Sequence, residues 1–161
     1  MSCYRNILVA IDGSPDAAAA LRHAVTLARD QNARLTLLSV VARPPVPTGP
    51  GVAPPPDLTK VHEALIREAL DLVPDDVGVT TKLEHGDPAS AILDWVRDNP
   101  CDLVVMGSHG HSRVHRALLG SVSERVLKGA TVPVLLMRAE VGATVQPWPG
   151  PTPAASRSAQ G

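Results

Sequence analysis

Apolar residues along this chain fall into two kinds of pattern, and the alternation of the two predicts the fold. Asn6 to Ile11 (NILVAI) and Asp102 to Met106 (DLVVM) are nearly unbroken apolar runs, the mark of strands buried on both faces. Leu35 to Val41 is a further strand, Val77 to His85 alternates like an edge strand, and Val132 to Arg138 (VPVLLMR) is a fifth. Between them the period changes to that of a helix. Ser14-Pro15 is a cap with proline at the first helical position, and the helix it opens runs to about Gln31 with Leu21, Ala24, Val25 and Ala28 on one face. Asp57 to Val73 is helical and Pro74 stops it; Asp87-Pro88 caps a helix to about Asn99; Ser121 to Gly129 is the last.

Strands alternating with helices mean an α/β fold: a five-stranded parallel sheet, Rossmann-like, with right-handed crossovers and helices on both faces. The two most apolar strands, the first and the fourth, belong at the centre, which corresponds to a strand order of 3-2-1-4-5. Ligands in such sheets bind at the carboxyl ends of the strands flanking the point where the order reverses. Asp12-Gly13-Ser14 ends the first strand and Gly107 to Gly110 ends the fourth, so both special loops converge there. Residues 43–56 (RPPVPTGPGVAPPP) make a semi-rigid, solvated loop, because proline donates no hydrogen bond. Residues 1–139 form one domain, and residues 140–161, rich in Gly, Pro, Ala and Ser, read as a disordered tail.

Composition narrows the picture. The 161 residues carry a net charge of -1 and only 2% aromatics, with no Phe, so the core is aliphatic and a nucleic-acid partner is excluded for want of basic and stacking groups. Cys3 and Cys101 are the only cysteines, which fits a reducing cytoplasm. The first residues have no signal-peptide layout and no window resembles a membrane span.

The candidate chemistry lies in residues 107–127, GSHGHSRVHRALLGSVSERVL. Glycine permits positive φ and close backbone approach. Gly107 and Gly110 frame a loop leaving a buried strand, and Gly120-Ser121 opens a helix whose first amides lack internal partners. Such amides and the helix dipole form an anion site, each dipole contact contributing about 0.3–1 kcal/mol. The hydroxyls of Ser108, Ser121 and Ser123 add donors. There is no GxxxxGK[ST], and no GxGxxG follows the first strand.

The spacing Gly107-x2-Gly110-x9-Gly120-Ser121 resembles the G-x2-G-x9-G-[ST] signature of the ATP-binding branch of the universal stress protein family. The flanks are similar too: ILVAIDGS, LLSV, DLVVMGSHG and GSVSERVL…VPVLLMR. This resemblance, over about residues 4–138, implies an adenine nucleotide alpha hydrolase-like sheet and a bound ATP with Mg2+. It implies that Ala10 and Ile11 line the adenine side and that Asp12 meets the ribose or a phosphate-bound metal. The backbone at Val40 would recognise the adenine edge, with Met106 near the nucleoside. Gly107, Ser108, His109, Gly110 and His111 would wrap the ribose and phosphates, and Gly120, Ser121, Val122 and Ser123 would hold the phosphates. Family members often have a cationic or small residue where His111 stands. The resemblance also implies a homodimer through the fifth strand, Val132–Arg138, whose apolar edge needs covering.

The function expected is that of a cytoplasmic, nucleotide-dependent regulator in a stress response, altering its dimer contacts or the surface shown to an unknown protein partner. Binding rather than turnover is the expected activity, since there is no Walker lysine and no residue to orient an attacking water. A hydrolase using Asp12, His109 and Ser121, or a site for cyclic AMP, remain alternatives. His109, His111 and His115 lack clustered carboxylates and read as polar loop residues or phosphate contacts rather than as a metal site. Arg113 and Arg116 are equally phosphate contacts or a solvated face. Glu84 to Asp87 reads as a strand end and helix cap, and Trp95 as core beside Ile92 and Val96.

Overall fold

The computed structural model describes residues 4–43, 49–54, 56–110 and 118–139. Its elements run β1 (Asn6–Ala10), α1 (Pro15–Gln31), β2 (Arg34–Val41), α2 (Thr59–Asp71), β3 (Val79–His85), α3 (Pro88–Asp98), β4 (Leu103–Gly107), α4 (Ser121–Gly129) and β5 (Val134–Met137). The five strands form one parallel sheet in the order β3-β2-β1-β4-β5. The most apolar strands are therefore neighbours at the centre: Ile7, Leu8 and Val9 pair with Leu103, Val104 and Val105.

Each central strand serves two cores, which is why its apolar run has no polar gap. Ile7, Val9, Leu35, Leu37, Leu103 and Val105 pack with Ala20, Leu21, Ala24 and Ala28 of α1 and Ala69 of α2. On the other face Leu8, Leu38, Val104 and Met106 meet Ala89, Ile92 and Val96 of α3 and Val126 of α4, with Trp95 half-buried against them. Without any Phe, α1 fits close to the sheet through alanines, and small residues there keep the packing dense.

Local signals place the helix starts. The Ser14 hydroxyl accepts the Ala17 N–H at 3.1 Å, with Pro15 at the first helical position. Asp87 accepts the Ser90 N–H at 2.9 Å. Helix α4 differs: its N-cap is Gly120, which has no side chain to cap with. The ends of α1 also differ in kind, because Asn32 closes it at φ 52 in the left-handed region.

Two strands are shorter than their apolar patterns. Val77 turns back to donate to the Pro74 carbonyl, so β3 begins at Val79, although Val77 stays buried. Proline lacks the ladder donor, and Pro133 only accepts, from the Val104 N–H; β5 accordingly spans Val134–Met137 rather than Val132–Arg138. The Pro-rich segment falls partly, and residues 140–161 wholly, outside the described residues.

Candidate functional site

The order reverses between β1 and β4, and a crevice of about 150 Å3 opens at their carboxyl ends. Its floor is apolar: Ala10 and Ile11 from β1, Leu38 and Val40 from β2, Ile92 from α3, Met106 from β4. Its rim is polar or bare: Asp12, Gly107, Gly110, and the run Gly120, Ser121, Val122 and Ser123 at the start of α4. A full drug-sized site measures about 300–1,000 Å3. The enclosed part is therefore smaller than a whole ligand of that size, and Gly110 and Gly120 lie on its rim. A wider hollow of about 510 Å3 lies between β3 and α3. Its charged groups are already used: Asp87 binds Ser90 and Arg125, and Lys82 pairs with Glu84. None of Gly107, Gly110 and Gly120 lines it, so the smaller crevice carries the argument.

Each edge of the crevice is held from behind. The Ile11 N–H donates to the Leu38 carbonyl at 2.8 Å, and the Ser39 hydroxyl donates to the Ile11 carbonyl at 2.9 Å. The same hydroxyl oxygen meets His62 Nδ1 at 2.8 Å, so with its own proton on Ile11 it accepts from the ring. Asp12 folds back to accept the Ser14 N–H at 2.8 Å, a short turn that leaves the carboxylate beside Gly110.

The glycines act through the missing Cβ and not through positive φ. Among the described residues positive φ occurs at Gly13, Gly51, Gly86 and Asn32, and at none of the motif glycines. A Cβ on Gly110 would stand 3.1 Å from Asp12 Oδ2, inside the crevice. One on Gly120 would come within 3.3 Å of the Ser108 carbonyl. Gly107 serves packing instead: its Cβ would lie 2.8 Å from the Ala17 nitrogen, so α1 docks directly on the end of β4.

The expected anion donors are only partly available. Ser121 is exposed, and the amides of Ser121, Val122 and Ser123 lie in the first turn of α4, where no helical carbonyl precedes them. The Ser123 hydroxyl, however, is buried and donates to the Gly107 carbonyl at 2.9 Å. Ser108 and His109 do not line the crevice. The Ser108 hydroxyl donates to Asp16 at 3.0 Å, and His109 Nδ1 sits 3.0 Å from the Ser108 hydroxyl oxygen while its Nε2 faces the Leu118 carbonyl. Both side chains thus brace the loop from the α1 side. His111, Arg113, His115 and Arg116 fall outside the described residues. No group of three or more His, Cys, Asp or Glu side chains among the described residues is placed to hold a metal.

Asp16 carries no sequence signal of a role beyond its place in a helix. A carboxylate in the first turn of a helix reads as a partner for the helix dipole. Here it is buried, 7% exposed, and accepts from Ser108, from the His109 N–H at 3.2 Å and from the Ala139 N–H at 2.8 Å. Burial pushes its carboxyl up, but the donors at Ala139, Ser108 and His109 outweigh it and hold the group below its ordinary value of 3.8. A depressed folded value contributes stability in full above the ordinary value, and that contribution is lost as pH falls below it. Urea unfolding between about pH 6 and pH 3 is expected to show this acid-end loss, and Asp16→Asn to flatten it. Parallel pH profiles for the two proteins would refute that assignment.

Comparison with known proteins agrees with the architecture. The model of the universal stress protein family matches residues 3–138. Universal stress protein YxiE of Bacillus subtilis is 33% identical over 147 residues, covering 84% of this chain and 99% of that one. Among solved structures, the universal stress protein UspA from Lactobacillus plantarum is 29% identical at a TM-score of 0.64, covering 84% of this chain and 98% of its own. A universal stress protein crystallised in complex with cAMP is 25% identical at a TM-score of 0.65, covering 85% and 98%. With its sheet order, its converging loops and this match over nearly all the described residues, the chain belongs to the universal stress protein family.

Proposed function

We propose that the crevice binds an adenine nucleotide, ATP with Mg2+, and that the protein is a nucleotide-dependent regulator in a stress response. One observation carries this reading: an apolar-floored crevice opens onto uncapped amides of α4, and Gly110 stands at its rim where a Cβ would crowd Asp12. Adenine is flat and largely apolar on its faces, and phosphates take N–H donors at helix starts. Ala10, Ile11, Val40 and Met106 suit the base. Gly110 and Gly120 to Ser123 suit the phosphates through their backbone. Asp12 is the carboxylate at the rim and would hold a nucleotide-bound Mg2+, whose charge offsets that of the phosphates. Binding is the activity proposed, and the cytoplasm the proposed place, on the two isolated cysteines of the sequence. The half-buried, apolar β5 lies at the sheet edge, and a homodimer pairing two such edges would cover it; sedimentation of the intact chain tests that.

A second reading keeps the site and changes the ligand to cAMP, favoured by the similar protein crystallised with that molecule. Mass spectrometry of nucleotide released from the purified protein under denaturing conditions separates the two. Thermal unfolding with each ligand quantifies them, since a ligand at 100 times its Kd stabilises by about 2.7 kcal/mol. Stabilisation by ATP with Mg2+ supports the first reading and stabilisation by cAMP alone the second. No shift with either ends both.

A further inference from the structure

We infer that Asp16 is the positioning residue of the glycine loop and that it couples this loop to the end of β5; the inference rests on the nucleotide site proposed above. Three donors converge on one buried carboxylate, with the His109 ring beside them. Oδ2 takes the Ser108 hydroxyl at 3.0 Å and the His109 N–H at 3.2 Å, with His109 Nδ1 at 3.4 Å. Oδ1 takes the Ala139 N–H at 2.8 Å. A carboxylate this buried is costly unless its acceptors are filled, and here residues distant in sequence fill both oxygens. Its reach is possible only because Gly107 has no Cβ, which would stand 2.8 Å from the Asp16 Cβ.

The contacts continue into the crevice rim. The Ser108 carbonyl, next to the Asp16-bound hydroxyl, accepts the Gly120 N–H at 2.9 Å. Gly120 is the residue from which the first amides of α4 project. The Ser108 N–H donates to the Met137 carbonyl at 2.8 Å, and Ala139 lies two residues further on. One side of Asp16 therefore sets where the rim amides stand, and the other side holds the chain as it leaves β5. A ligand that tightens the rim strengthens the Oδ2 contacts and, through the same carboxylate, the hold on Ala139. Linkage makes the effect mutual: loosening Ala139 must weaken the ligand.

Asp16→Asn keeps the shape and removes the ability to accept on both edges, because one oxygen becomes an NH2 donor. Isothermal titration of the full chain with ATP and Mg2+ is expected to show affinity lowered about tenfold, the worth of one charge-assisted hydrogen bond. Amide exchange by NMR supplies a site-resolved readout: mere destabilisation speeds exchange across the core, whereas coupling alters the response to ATP at Ala139 in particular. In the wild type, saturating ATP is expected to slow exchange at His109 and Ala139 together, and in Asp16→Asn the response at Ala139 disappears. Ala139→Pro deletes the distant donor while leaving Asp16 itself unchanged, and is expected to weaken ATP about fivefold. It carries the test alone should Asp16→Asn fail to fold. If the wild type binds ATP but the folded variants bind within about twofold of it, or the wild-type Ala139 amide ignores ATP, the coupling is refuted and the nucleotide site stands. If the wild type binds no nucleotide, the proposed function itself fails and this inference with it.

Discussion

Substituting Gly110 with valine is expected to lower affinity for ATP on the order of 100-fold while leaving the folded protein intact; pressing methyl groups into a packed site costs about 1–3 kcal/mol. The position allows this separation of effects. Gly110 is not among the positive-φ residues, so its backbone accepts a side chain. Among the described residues, the one atom that a Cβ there would crowd is Asp12 Oδ2, at 3.1 Å, and Asp12 lines the crevice. Alanine alone would displace the Asp12 carboxylate by a few tenths of an ångström; valine adds two methyl groups in the space a phosphate or ribose would occupy. Thermal unfolding checks both halves at once. The transition without ligand should match the wild type, and the stabilisation by ATP should vanish. A variant that keeps the full ligand-induced shift would place the nucleotide somewhere else.

Gly107→Ala is expected to do the opposite, lowering stability by about 3 kcal/mol, or about 6–12 °C in Tm for a chain of this size. Its Cβ would sit 2.8 Å from the Ala17 nitrogen, 2.8 Å from the Asp16 Cβ and 2.9 Å from the Asp16 carbonyl carbon. These atoms belong to the first turn of α1, and β4 is a central strand, so neither side can give way without disturbing the sheet. Urea denaturation should show a lower midpoint at an unchanged slope. An unchanged midpoint would mean that α1 and β4 approach less closely than described. Gly107 and Gly110 thus stand three residues apart in one motif and serve different ends, the first a helix contact and the second an open crevice.

The order and kind of the elements were legible in the sequence because burial on two faces leaves an unbroken apolar run, and caps such as Ser14-Pro15 and Asp87-Pro88 are local. The reversal between β1 and β4 followed from the same reasoning, since the most apolar strands must occupy the middle. The glycine spacing marked the place where the chain approaches closely, and Asp12 marked its neighbour. The ends of β3 and β5 were less legible, because Val77 and Val132 look like strand residues while a turn at Pro74 and the missing donor of Pro133 decide otherwise.

What only the tertiary structure decided is which atoms face which. Ser108, Ser123 and His109 read as ligand donors beside a glycine, yet their side chains turn to Asp16, to the Gly107 carbonyl and to the Leu118 carbonyl. Asp16 reads as a helix-dipole partner, yet its donors come from residues 92, 93 and 123 positions away in the chain. The amino-acid sequence by itself determined the elements, their layering and the end of the sheet where the special loops meet, because periodicity and capping act within a few residues. Side-chain orientation at that meeting point depends on how closely α1 lies on β4, a distance set by packing between remote segments, and no local pattern encodes it.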